Sequence, residues 1–193
     1  NSSIVYNNLE LARSHWERVR DEVSPELAAI AKTLDDEQVV TLYAALEKDN
    51  KEEEEERQEA LEKSEAQRLK DRIERIQETI RERIGDLSKE QKQIVSTYAQ
   101  QFISTGDAWI TYRRNIQNAA RKLFVSRKQN ERFEQELVVL MQNPDNYKSD
   151  VYKQSSAHNM TVTATLLAEI FSTLSEKQRQ TLIENGDELN RNG

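Results

Sequence analysis

Few residues in this chain are of types that do chemistry, and their spacing assembles no familiar reaction. Two histidines occur, His15 beside Trp16 and His158 in a polar segment, and neither has a cysteine or second histidine at ligand spacing. Cysteine is absent, which removes disulfides, thiolate nucleophiles and cysteine metal sites and leaves the redox compartment open. There is no glycine-rich phosphate loop, no glycine-flanked serine and no His-Glu-x-x-His run. Carboxylates are abundant, with Glu52 to Glu56 consecutive, but a calcium loop needs alternating oxygen ligands around a sharp glycine turn, which is missing. Glutamates from different helices can hold two metals in a bundle when Glu-x-x-His spacing supports them, and that spacing does not occur. The sequence therefore assigns no catalytic, cofactor-binding or metal-ligating residue, and the expectation is a protein that is not an enzyme.

Few elements are available to position anything. The chain has 193 residues, 36% hydrophobic and 33% charged, with four Gly and two Pro. So few turn residues and so much charge argue against a sandwich or barrel, and apolar residues recurring at helical spacing argue against disorder. The net charge of −7 disfavours nucleic acid, no run is long enough to span a membrane, and no secretory apolar segment is visible. The fold class expected is all-α, a single elongated helical array or bundle with one very long helix.

The helices are expected at 4–22, 25–33, 36–84, 89–105, 108–125, 129–142, 149–172 and 176–190. In the first, Val5, Leu9, Ala12, Trp16 and Val19 form one stripe. Ser24-Pro25-Glu26 reads as a restart, with Ser as cap and Pro at the first helical position, before a short helix burying Leu27, Ile30 and Ala31. Val39, Leu42, Tyr43 and Leu46 open the third helix, and the apolar-free stretch from Glu47 to Glu59 reads as a solvated face or a frayed connection. The stripe resumes as Leu69, Ile73, Ile76, Ile80, Ile84 and Leu87, with Arg68, Lys70, Arg72 and Arg75 expected to pair with carboxylates along the helix. A helix unbroken from residue 35 to 84 would be about 70 Å long. Further on, Ile94, Val95, Tyr98, Phe102 and Ile103 point inward, Gly106 ends that helix, and Asp107 caps the next. A break is expected between Ser126 and Glu131, a stop at Asn143-Pro144-Asp145, and some irregularity at Thr161-Val162-Thr163. Leu182, Ile183 and Leu189 face inward in the last helix, which frays at Asn192-Gly193. Trp16, Trp109, Tyr112, Phe124, Phe133, Tyr147, Tyr152 and Phe171 fit these stripes as core; exposed together, they would make a partner patch.

One phrase recurs three times: Leu34-Asp35-Asp36-Glu37-Gln38, Leu87-Ser88-Lys89-Glu90-Gln91 and Leu174-Ser175-Glu176-Lys177-Gln178. The Asp or Ser can cap a helix, and the Gln three residues later can reach back to close a capping box. Shifted into register, Asn1 takes the place of the Gln, which implies a fourth copy whose capping residues precede Asn1.

The order of Tyr6-x-x-Leu9-Glu10, Ser24-Pro25-Glu26-Leu27-Ala28, the first phrase, Asn50 in its acidic-basic helix, the second phrase, Trp109 and the third phrase resembles an uncharacterised family of Gram-negative bacterial lipoproteins, a domain of unknown function. That resemblance spans roughly residues 5 to 185. It implies a signal peptide and lipobox cysteine upstream of Asn1 and a lipid-anchored periplasmic protein, with membrane contact only through that anchor. The sequence departs from the family by lacking the cysteine and the first helical segment. The Leu-(Thr/Ser)-x-x-Gln phrase also looks like the signature of the shorter, cradle-shaped Spy-type periplasmic chaperones. The expected function is a non-enzymatic periplasmic lipoprotein binding a protein or envelope component. A Spy-like chaperone, a carboxylate metal bundle and a cytoplasmic coiled-coil scaffold stand as alternatives.

Overall fold

The structure is a computed structural model that describes residues 1–191; the expected fraying at Asn192-Gly193 lies outside them. All described secondary structure is helical: α1 Ser2–Thr33, α2 Asp36–Glu62, α3 Glu65–Ile84, α4 Lys89–Ala99, α5 Gly106–Ser126, α6 Phe133–Gln142, a 3-10 turn Pro144–Tyr147, α7 Asp150–Ser172 and α8 Glu176–Arg191. The chain divides into two compact units. The first comprises Asn1–Leu9, Glu62–Ile103 and the chain from Ala157 on; the second comprises Glu10–Leu61 and Ser104–Ser156.

In the first unit, Ile80, Ile84, Val95, Leu166 and Ile170 form the core, with Leu87 and Leu174 of the two phrases packed against it. Gly85 ends α3 at φ +83°, a conformation that favours glycine, and its N–H donates to Arg81 O. Both phrases close as capping boxes. Ser88 Oγ accepts from Gln91 N at 3.1 Å and Gln91 Oε1 from Ser88 N at 2.9 Å; Ser175 and Gln178 do the same at 3.1 and 3.0 Å. The two glutamines then join: Gln91 Nε2 donates to Gln178 Oε1 at 2.9 Å, and Gln178 Nε2 to Gln91 Oε1 at 2.8 Å. The spare N–H of Gln178 goes to Asp86 O at 2.9 Å, and that of Gln91 reaches Thr173 Oγ1 at 3.2 Å. Each buried amide is thereby satisfied.

Several expectations for this unit are corrected. α4 stops at Ala99 rather than 105, because residues 101–103 are held by α7: His158 Nε2 donates to Gln101 O at 2.7 Å, and Asn159 exchanges two 2.9 Å bonds with Ile103. Ile103 is consequently exposed. The Thr161-Val162-Thr163 stretch is regular helix, held by the buried Val162, Ala164 and Leu166, while Thr161, Thr163 and Thr165 each donate a hydroxyl to the carbonyl four residues back. Arg72 donates to Ala99 O at 3.1 Å, the carbonyl end of α4, rather than to a carboxylate. α8 turns Gln178, Leu182 and Asn185 inward, Asn185 donating to Glu82 O and Arg83 O, which leaves Ile183 and Leu189 exposed.

In the second unit, Ala28, Tyr43, Phe124, Phe133 and Leu137 form the core. α1 runs through Pro25 without a restart. Pro25 has no N–H for the carbonyl of Asp21, and Gln142 Nε2 donates to that carbonyl instead at 3.3 Å. Ser24 sits inside the helix with its hydroxyl on Arg20 O at 2.6 Å. α1 enters the core through Ala28 and Ala31, so Leu27 and Ile30 face solvent. Asp35 and Gln38 close the first capping box at 2.8 and 2.9 Å on the surface. Here the turn is clasped by Arg127, 6% exposed, which donates to Leu34 O at 3.1 Å, Phe124 O at 2.8 Å and Asp36 Oδ1 at 2.7 Å. The break near Ser126 lies just ahead of α6, which begins at Phe133 rather than 129.

The helix expected over 36–84 is broken at Lys63-Ser64. Ser64 caps α3, its hydroxyl accepting from Gln67 N at 3.1 Å. Ser64-Glu65-Ala66-Gln67 has the spacing of a capping box but no leading Leu, and that spacing was the signal for the break.

Candidate functional site

The apolar-free stretch of α2 is neither solvated throughout nor frayed. On the α2 face that carries Tyr43, positions 47, 50, 54 and 57 continue the seam with polar groups. Each meets α5 running antiparallel: Tyr43 donates to Gln117 O at 3.3 Å, and Asn50 Nδ2 to Gln117 Oε1 at 2.7 Å. Arg114 bridges Glu47, at 3.0 Å, and Glu54, while Arg113 holds Glu53 at 3.0 Å and Arg57 holds Asp107 at 2.8 Å. Hydrogen bonds from Arg114 keep Glu47 and Glu54 below the usual carboxylate range, and Arg57 does the same for Asp107. Gly106 opens α5 rather than closing α4; a Cβ there would lie 3.0 Å from Arg57 Nε, so glycine admits the arginine to Asp107, which caps nothing. Burial of Tyr43 in the seam pushes its hydroxyl up to about 12.

The residues 13–20 of α1 and the segment 142–148 enclose a cleft of about 600 Å³. Arg13, Trp16 and Arg20 recur at spacings of three and four, so one helix face presents an indole between two guanidinium groups. Trp16, expected in the core, is 72% exposed. Arg20 Nε donates to Asp21 at 3.1 Å, whereas the nearest carboxylates to Arg13, Glu17 and Glu10, stand at 3.6 and 3.8 Å. The opposite wall is fixed from behind. Lys148 bonds Asp145 at 2.9 Å and lies 5.3 and 5.7 Å from the ring centres of Tyr112 and Tyr152. Lys148 holds the Asp145 carboxyl low, with Lys153 and Arg13 adding to the effect. Asn115 Nδ2 reaches Tyr147 O at 3.5 Å, tying the 3-10 turn to α5.

α1 also carries an apolar stripe that nothing in the second unit covers. Trp16, Val23, Leu27 and Ile30 are exposed, the last two at 51% and 60%, with half-buried Val19 between them. Its spacing continues the stripe read from the sequence, but that stripe faces out because α1 docks through its small residues.

A family of unknown function, DUF6279, matches residues 7–153. The chain belongs to that family. No curated protein and no solved structure matches it. The DUF6279 match encloses the α2–α5 seam, the cleft and the α1 stripe, and ends before the third phrase. His15 is exposed on α1, and His158 serves the Gln101 carbonyl with its Nε2 proton. Among the described residues, no group of three or more His, Asp or Glu is placed to hold a metal ion, and no helix is long and apolar enough to cross a membrane. These surfaces present exposed apolar area along α1, and donors and acceptors side by side in the cleft.

Proposed function

We propose that this DUF6279 protein is a non-enzymatic binding protein of the bacterial envelope, held in the periplasm by an upstream lipid anchor, which receives an amphipathic helix of a partner protein along α1. The observation that carries the binding role is the exposed stripe Trp16–Val23–Leu27–Ile30. Apolar residues at heptad spacing match a second helix bearing anchors at i, i+3, i+4 and i+7. Support for the address is the order of capping phrases and helix starts that resembles the lipoprotein family.

Two measurements test these parts separately. A photo-crosslinking residue at Leu27 or Ile30 in the full-length gene product should give one discrete protein adduct in cells, absent from Glu37 on α2. Equal adducts from all three positions, or none, would remove the docking role. Fractionation of the full-length product should place it in the membrane fraction, released when the upstream cysteine is replaced; a product left in the cytoplasm would favour the scaffold alternative. A Spy-like role is favoured by the same stripe together with the repeated phrase, and it predicts suppressed aggregation of a denatured reporter, lost in Leu27→Glu. A stoichiometric transition metal in the purified protein would replace the binding reading with a carboxylate bundle.

A further inference from the structure

We infer that the cleft between residues 13–20 of α1 and the 142–148 segment is a saccharide site, taking a sugar that bears one carboxylate with its ring stacked on Trp16. The cleft shares Trp16 with the α1 stripe, but its other lining residues lie outside that stripe. The cleft, at about 600 Å³, is roomy enough for more than one sugar ring. An indole left 72% exposed beside it offers a flat apolar face, which suits the C–H face of a pyranose.

The polar lining narrows the class. Gln142, Asn143 and Asn146 are planar amides, each carrying donor and acceptor side by side. Hydroxyl groups also donate and accept, so such a lining matches vicinal hydroxyls. A pure anion site would carry donors alone, and this cleft also presents the carboxylates of Glu17 and Asp145. Those two carboxylates disfavour a phosphate dianion. Against them stand three cations; Lys148 is taken by Asp145, while Arg13 and Arg20 keep guanidinium nitrogens without a hydrogen bond, the donors a single carboxylate needs.

Charge is available where the ligand would need it. Arg20 commits only Nε, to Asp21, which leaves its two terminal nitrogens for a bidentate carboxylate. The Arg13 guanidinium makes no hydrogen bond among the described residues; its ion pairs are 3.6 and 3.8 Å long. The two arginines stand seven positions apart, about 10 Å along the helix, with Trp16 between them. A sugar on the indole thus meets a guanidinium on either side. The wall opposite is set before binding, because Gln142 is fixed on the Asp21 carbonyl and Lys148 against two tyrosines.

The test uses the whole chain carrying Trp109→Phe, so that Trp16 is the one indole. Its fluorescence is titrated with galacturonic acid, N-acetylneuraminic acid and N-acetylmuramic acid, and with maltotriose, AMP and inorganic phosphate as comparisons. The expected result is a saturable change with at least one carboxylated sugar, half-complete at or below about 1 mM. Binding should weaken at least tenfold in Arg20→Gln, and the matching saturation-transfer NMR signal should vanish in Trp16→Ala. Trp16 is exposed and Arg20 half-buried, and unchanged circular dichroism shows that both variants fold. The inference is overturned if no carboxylated sugar saturates, if AMP or phosphate binds as tightly as the sugar, or if Arg20→Gln binds like the parent.

Discussion

Gln91 and Gln38 occupy the same position in the same phrase and have different consequences. Both reach back to their cap residue, but Gln91 is buried and also bonds Gln178 and Thr173, whereas Gln38 is exposed and ends at its own box. Removing Gln91 leaves buried groups without partners; removing Gln38 leaves them to water. Gln91→Ala should therefore cost about 2–4 kcal/mol and Gln38→Ala under about 1 kcal/mol in urea unfolding. A double-mutant cycle on Gln91 and Gln178 should return a coupling of about 0.5–3 kcal/mol. Equal costs at Gln38 and Gln91 would show that the amide pair adds nothing beyond capping. Arg127 serves the second unit in the same capacity, replacing an amide with a guanidinium because three acceptors converge on it.

Between elements, the α2–α5 seam is where electrostatics replaces packing. An apolar seam would respond little to pH, but this one depends on Glu47, Glu54 and Asp107 being ionised. Each has a folded value below its unfolded one, so its contribution is complete above the ordinary carboxylate value near 4 and is lost as pH falls through the lowered values. Amide protection across 47–57, relative to the unfolded chain at the same pH, should fall below about pH 4 and also at high salt, because the carboxylates lie at the surface where screening is strong. Replacing Arg114 with Met should remove most of that acid sensitivity. A seam whose protection ignores both acid and salt would return the stretch to a merely solvated face.

For the molecule as a whole, two apolar cores, one per unit, are thin for a chain of 193 residues. Tyrosines border both. Burial raises Tyr43 to about 12 and also raises Tyr112, while a hydrogen bond to Glu169 raises Tyr98. Raised folded values mean that the unfolded chain loses these protons first. Stability should be intact below about pH 10, the ordinary tyrosine value, and fall as pH rises from there through the folded values. Alkaline unfolding followed by circular dichroism should begin in that window, and Tyr43→Phe should make the decline shallower. Unchanged stability between pH 10 and 12 would mean that Tyr43 titrates freely.

The sequence by itself determined the helical class, the capped starts at residues 36, 89 and 176, and the stop before Pro144. Those signals are local: a cap, a period and a missing N–H act within a few residues. It could not say which side of α1 is buried, because a stripe of large apolar residues and a face of Ser24, Ala28 and Ala31 are both legible, and only the neighbouring core chose the small one. Continuity through Pro25 depended on Gln142, more than a hundred residues away in sequence. The role of the acidic run depended on arginines of α5 that no local rule connects to it. The cleft is a product of the same choice: with α1 docked through its small residues, Trp16 and its two arginines are left facing the segment after α6. Tertiary packing decided these features because each balances contacts from distant parts of the chain.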